Sequence, residues 1–156
     1  IWTNIQFSSI LNNLRMKHLV LIGFVVLLGC SKTAIERNPF LLENSFDQSI
    51  NLALPAFDNL SYAGGSMYWP NGGIRGLLLY NLNGNTIMAW EASCPNHELK
   101  SCSTLQTDAL VSPTASCSCE DYQYSLATGQ PLTEGATYSL LFYKVQKSGT
   151  VVRIYN

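Results

Sequence analysis

The stretch Gly76-Leu77-Leu78-Leu79-Tyr80-Asn81-Leu82-Asn83-Gly84-Asn85-Thr86-Ile87-Met88-Ala89-Trp90 decides the fold class. Two short apolar runs flank an Asn-Gly pair, which is the strongest short-range signal for a β-hairpin. A second hairpin closes the chain, with Tyr138–Val145 and Thr150–Tyr155 on either side of Lys147-Ser148-Gly149. Upstream, Ile50-Asn51-Leu52-Ala53-Leu54 alternates apolar with polar or small residues, as a strand does. No stretch after residue 50 carries a helical period of useful length. With 11 Gly, 6 Pro and many β-branched and aromatic residues, these signals predict an all-β domain, a small barrel or sandwich of short antiparallel strands. The Gly-rich stretch Tyr62–Gly73 has neither phosphate-loop spacing nor a following helix, so it reads as turns and a loop, with a partner-binding loop as the sharper alternative.

The run Leu19–Gly29 is 11 residues long, apolar and uncharged, and follows Arg15, Lys17 and His18. It is too short to span a bilayer, which takes about 20 residues. A basic region, a short apolar run and a small residue make a secretory signal. The run ends in Leu27-Leu28-Gly29-Cys30, which resembles the lipobox of bacterial lipoproteins: the peptidase cuts before the cysteine and the thiol carries diacylglycerol. The polar Ser31-Lys32-Thr33 that follows argues against a buried core segment. Residues 16–29 are therefore expected to be a signal, with Met16 as the start and residues 1–15 upstream of it. Cys30 is the expected lipidation site, residues 30–48 a tether and residues 49–156 the domain. The implied location is the bacterial cell envelope, the membrane being a partner through the lipid.

Charged residues make up only 12% of the 156, with a net charge of −1, and no basic patch suits nucleic acid. Without residues 1–29 the chain keeps all ten acidic residues and seven of nine basic ones, for a net charge of −3. It also keeps a single histidine, His97, because His18 leaves with the signal. By itself His97 reads as a solvated loop histidine. The adjacent Glu120-Asp121 pair reads as a solvated surface, not as an acid/base couple.

Four cysteines remain: Cys94, Cys102, Cys117 and Cys119. In an exported domain the first expectation is two disulfides. The second pair lies in Cys117-Ser118-Cys119-Glu120-Asp121-Tyr122-Gln123-Tyr124, followed by Thr128-Gly129. This resembles the second motif of the Rieske iron–sulfur family, in which Cys-x-Cys-His is followed by an aromatic residue and a Thr-Gly turn. Cys94-Pro95-Asn96-His97 with Cys102 loosely echoes the first motif. The resemblance covers roughly residues 50–156 and implies a Rieske-like fold. In that family two cysteines hold one iron and two histidines the other.

Carried over, Cys94 and Cys117 match the cysteine ligands, and Cys102 and Cys119 match a disulfide that braces the two loops. His97 stands one residue late for the first histidine, and Glu120 stands where the second belongs. The resemblance thus implies a Rieske-like scaffold without its cofactor, bridged by Cys102–Cys119 and Cys94–Cys117. Its expected role is that of a binding or structural module, not an enzyme, with an envelope protein as a possible partner; Tyr122 and Tyr124 are candidate contacts, with Tyr124 read first as core packing. Two alternatives stand beside it: a 2Fe–2S electron carrier with altered ligands, and a zinc site built from Cys94, His97 and Cys117.

Overall fold

Leucines 77–79 and Tyr80 form an uninterrupted apolar run because their strand is buried on both sides. In the computed structural model, which describes residues 37–107 and 113–156, β3 (Leu77–Asn81) is buried at every position. Leu77 and Leu79 join one apolar cluster, with Ile50, Leu60, Ile87, Ala89, Tyr143, Val152 and Ile154. Leu78 and Tyr80 point the other way, into a cluster with Trp90, Leu105, Ala115, Tyr124 and Leu126. The two-residue period of a strand divides the run between the two cores. Burying each leucine contributes about 1.5–3 kcal/mol.

The described residues form an antiparallel, almost entirely β fold, as expected. Around β3 lie β1 (Asp47–Asn51), β2 (Ser66–Trp69), β4 (Ile87–Glu91), β8 (Phe142–Ser148) and β9 (Val151–Tyr155), in the sheet order β1-β9-β8-β4-β3-β2. The sheet curls as an open half-barrel. A small second sheet, ordered β5-β6-β7, consists of β5 (Gln106–Thr107), β6 (Thr114–Ser116) and β7 (Gln123–Ser125). Its Ala115 and Tyr124 pack against the outer face of β3 and β4.

Both expected hairpins form. In the first, Leu78 pairs with Trp90 and Asn81 with Ile87, leaving a five-residue connection. Asn83 Oδ1 accepts from the amides of Asn85 and Thr86, and Asn81 Oδ1 accepts from that of Gly84. In the second, Ser148 pairs with Val151. Gly149, at φ 59°, takes the first central position of a two-residue turn, the place a type II′ turn gives to glycine.

Three readings change. The stretch taken as turns and a loop contains an edge strand, β2, which pairs with β3 from Ser66↔Tyr80 to Trp69↔Leu77. The strand expected at Ile50–Leu54 runs from Asp47 to Asn51. Asn51 ends it by accepting from the amide of Ala53, and a short 3-10 helix follows at Pro55–Leu60. In the third, part of the expected tether packs on the domain, the described compact unit running from Arg37 to Asn156. Leu41 is buried, Asn38 Nδ2 donates to the Pro95 carbonyl, and Phe40 meets the Tyr138 ring edge-on. Residues 37–46 are thus docked chain, not free spacer. The expected signal, the expected lipidation site Cys30 and residues 31–36 of the expected tether lie outside the described residues.

Candidate functional site

Two loops leave the sheets side by side. The first runs from Cys94 to Ser103 and is closed by the Cys94 amide donating to the Ser103 carbonyl and by the Leu105 amide donating to that of Ala92. The second runs from Cys117 to Tyr122 and is closed by the Cys117 amide donating to the Tyr122 carbonyl. It turns at Asp121, φ 55°, the one non-glycine residue at positive φ among those described. Aspartate adopts that conformation more readily than most side chains. A disulfide between Cys102 and Cys119 joins the loops, with their Cα atoms 5.3 Å apart.

Behind the bridge, Cys94, His97 and Cys117 converge. Their donor atoms lie within 4.8 Å of one another and all three residues are buried. Cys94 and Cys117 are free thiols, so the expected Cys94–Cys117 bond is absent. A third group explains the correction: the imidazole enters the site, with His97 Nε2 3.1 Å from Cys117 Sγ. His97 is 8% exposed, in contrast to the solvated loop histidine its sequence context suggests. Its Nδ1 sits 2.7 Å from the Glu98 carbonyl. A carbonyl can only accept, so Nδ1 carries a proton, and in the neutral imidazole the Nε2 lone pair then faces the sulfur.

Tyr124 is fully buried, in the core packing read first for it; Tyr122 is partly buried. The Tyr124 hydroxyl lies 3.4 Å from Cys94 Sγ and 2.9 Å from Asn96 Nδ2. Asn96 Oδ1 accepts from the amides of Thr137 and Tyr138, and Nδ2 also donates to the Tyr138 carbonyl. Those bonds fix the orientation of the amide. Nδ2 therefore donates to the tyrosine oxygen, which leaves the hydroxyl proton free to be donated to the sulfur 3.4 Å away. Burial pushes the Cys94 thiol up to about 11, and the Tyr124 hydrogen bond offsets only part of this. Burial, with the Cys94 thiol beside it, raises the Tyr124 phenol as well.

Glu120 stands apart. Its side chain is 43% exposed and lies 3.9 Å from Lys100 Nζ, too solvated a pair to contribute much. Among the described residues, no further His, Cys, Asp or Glu joins the three donors. This arrangement does not fit a Rieske cluster. Such a cluster needs four ligands, with cysteines and histidines on different irons. Here there are three donors, and the nitrogen touches one of the sulfurs.

Two positioning residues differ in how far the sequence marks them. Asn96 shows only as a polar residue between Pro95 and His97, and nothing in the spacing marks its four partners. Gly129, at φ 73°, is held against Trp90: a β-carbon there would come within 2.6 Å of the indole ring. The Thr128-Gly129 pair did signal this turn.

No protein-family model and no curated protein matches the chain. Among solved structures it is similar to the ferredoxin of carbazole 1,9a-dioxygenase from Nocardioides aromaticivorans IC177, at 17% identity and a TM-score of 0.42, with 59% of this chain and 85% of that one covered. It is also similar to the Sphingomonas yanoikuyae B1 ferredoxin, at 16% identity and a TM-score of 0.43, with 60% of this chain and 87% of that one covered.

Proposed function

We propose that this chain is a lipid-anchored envelope protein whose β domain acts as a binding module and not as a one-electron carrier. The observation that carries this reading is the donor set. Cys94, His97 and Cys117 converge, while Glu120, at the position of the second histidine, faces solvent beside Lys100. The other histidine of the chain, His18, belongs to the proposed signal, so no second imidazole is available to the domain. The disulfide and the Asn96 bonds hold the two loops as one rigid surface, suited to a protein partner in the envelope. Leu99, in the first loop, is 42% exposed there.

Two experiments test this. Anaerobic treatment of the full chain with iron and sulfide is expected to give no visible absorption and no electron paramagnetic resonance signal after reduction. A reddish-brown protein with such a signal would establish the alternative, a 2Fe–2S carrier with altered ligands. For the anchor, the full chain expressed in a bacterium is expected in the membrane fraction, with a mature N-terminus at a lipidated Cys30, and Cys30→Ser in the soluble fraction. Intact mass spectrometry that finds an unmodified Cys30 in membrane-extracted protein would refute the anchor.

A further inference from the structure

We propose that Cys94, His97 and Cys117 bind a single Zn2+ ion, with the fourth position left to water or an incoming ligand. This rests on the reading of the domain as a binding module without a 2Fe–2S cluster, and it names what the buried site binds.

Distance favours one ion. With Zn–S near 2.3 Å and Zn–N near 2.0–2.1 Å, a tetrahedral ion sets S···S at about 3.8 Å and S···N at about 3.5 Å. The three donor atoms lie within 4.8 Å of one another, with the nitrogen 3.1 Å from Cys117 Sγ. The nitrogen and the Cys117 sulfur need only move apart by about 0.4 Å, and the remaining separations close to tetrahedral values within about 1 Å.

Orientation favours a metal over a fortuitous cluster. Histidines that ligate metals usually donate their other ring N–H to a carbonyl or carboxylate, which fixes the tautomer. His97 does so to Glu98, leaving the Nε2 lone pair inside the site. The hydroxyl of Tyr124 lies 3.4 Å from Cys94 Sγ, placed to donate to a metal-bound thiolate, and Asn96 holds the phenol oxygen there. A donor pointed at sulfur stabilises a thiolate, not a thiol.

Charge favours a divalent ion. Cys94 and Cys117 sit in an apolar cluster with Leu105, Ala115, Tyr124 and Leu126, where a net charge is costly. Zn2+ with two thiolates and a neutral imidazole has no net charge. Binding releases two protons, one from each thiol, and changes no oxidation state. Occupancy also keeps two adjacent thiols from oxidation in an exported protein. Two Cys and one His with an open position is among the known catalytic zinc ligand sets.

The test uses the full chain in detergent, stripped of metal by a chelator under anaerobic conditions with the Cys102–Cys119 bond intact. Co2+ is titrated as the probe. One equivalent is expected to bind, giving a thiolate-to-cobalt charge-transfer band in the near ultraviolet and tetrahedral bands in the visible. One equivalent of Zn2+ should abolish them, with two protons released per ion into weak buffer. Cys117→Ser is expected to lose the charge-transfer intensity and to weaken binding by more than about a hundredfold. Tyr124→Phe keeps all three ligands, so it is expected to keep the spectrum and to bind about 10–100-fold more weakly. That split separates a positioning role from a fold defect. Failure to take up Co2+ or Zn2+ while both thiols react freely overturns the zinc site and leaves the binding-module reading standing. Uptake of two irons and two sulfides overturns both.

Discussion

Replacing Glu91 with alanine is expected to destabilise the domain by about 3–5 kcal/mol, the range for removing one partner of a buried charged network. Glu91 ends β4 and is 0% exposed. Its Oε1 accepts from the Arg75 amide, the Ser93 amide and the Ser93 hydroxyl; its Oε2 accepts from the Ile74 amide and the Tyr143 hydroxyl. The carboxylate thus pins the turn before β3 to the strand that leads into Cys94. Gly73 makes room for it, since a β-carbon there would come within 2.4 Å of Oε2. Alanine leaves five donors unpaired and a void. Glutamine restores the volume but replaces one acceptor with a donor, so it is expected to recover only part of the loss. Tyr143→Phe removes a single bond and should cost about 1.5–3 kcal/mol. Urea denaturation followed by tryptophan fluorescence measures all three. A loss below about 1 kcal/mol for Glu91→Ala would mean that water replaces the carboxylate without penalty.

Local pattern reached some of this molecule and long-range geometry held the rest. The two hairpins were legible because loop chemistry and apolar runs lie together in sequence. β2 was not legible: Gly64, Gly65 and Pro70 flank it, and what makes Ser66–Trp69 a strand is the neighbouring β3. The docked segment before β1 was hidden for a similar reason, since Asn38 finds its partner in Pro95, 57 residues away. At the site, the cysteine pattern named Cys94, His97 and Cys117 together, but burial of the imidazole reversed the expectation for the thiols. The family resemblance implies a bond between Cys94 and Cys117, and the structure leaves both as free thiols. The lone pair of His97 Nε2 beside Cys117 gives that thiol another partner, and the hydroxyl of Tyr124 gives one to Cys94. Glu91 raised no signal, because a carboxylate at the end of a strand usually faces water.

Removing the bridge with Cys102→Ala and Cys119→Ala together is expected to lower stability by about 3 kcal/mol and to open the site. The bond spans 17 positions, and closing a loop of that length restricts the unfolded chain by about that amount. The folded state loses more than a staple. Apart from the bridge, the two loops are linked by weak contacts: Ser118 Oγ donating to the Cys102 carbonyl at 3.3 Å, the exposed Lys100–Glu120 pair at 3.9 Å, and His97 Nε2 beside Cys117 Sγ. The base of the first loop stays tied through Asn96 to residues 137–138, so Cys94 should keep its place. The second loop, which carries Cys117, depends on the bridge for its position relative to His97. The stability loss should therefore come with unequal exposure: in metal-free protein, alkylation of Cys117 should accelerate well beyond that of Cys94, whose burial and high pKa persist. Mass spectrometry of peptides alkylated over a time course reads both rates, and urea denaturation reads the stability. Equal acceleration at the two thiols would show that the loops move as one body without the bridge, and that Asn96 does not anchor the first loop on its own.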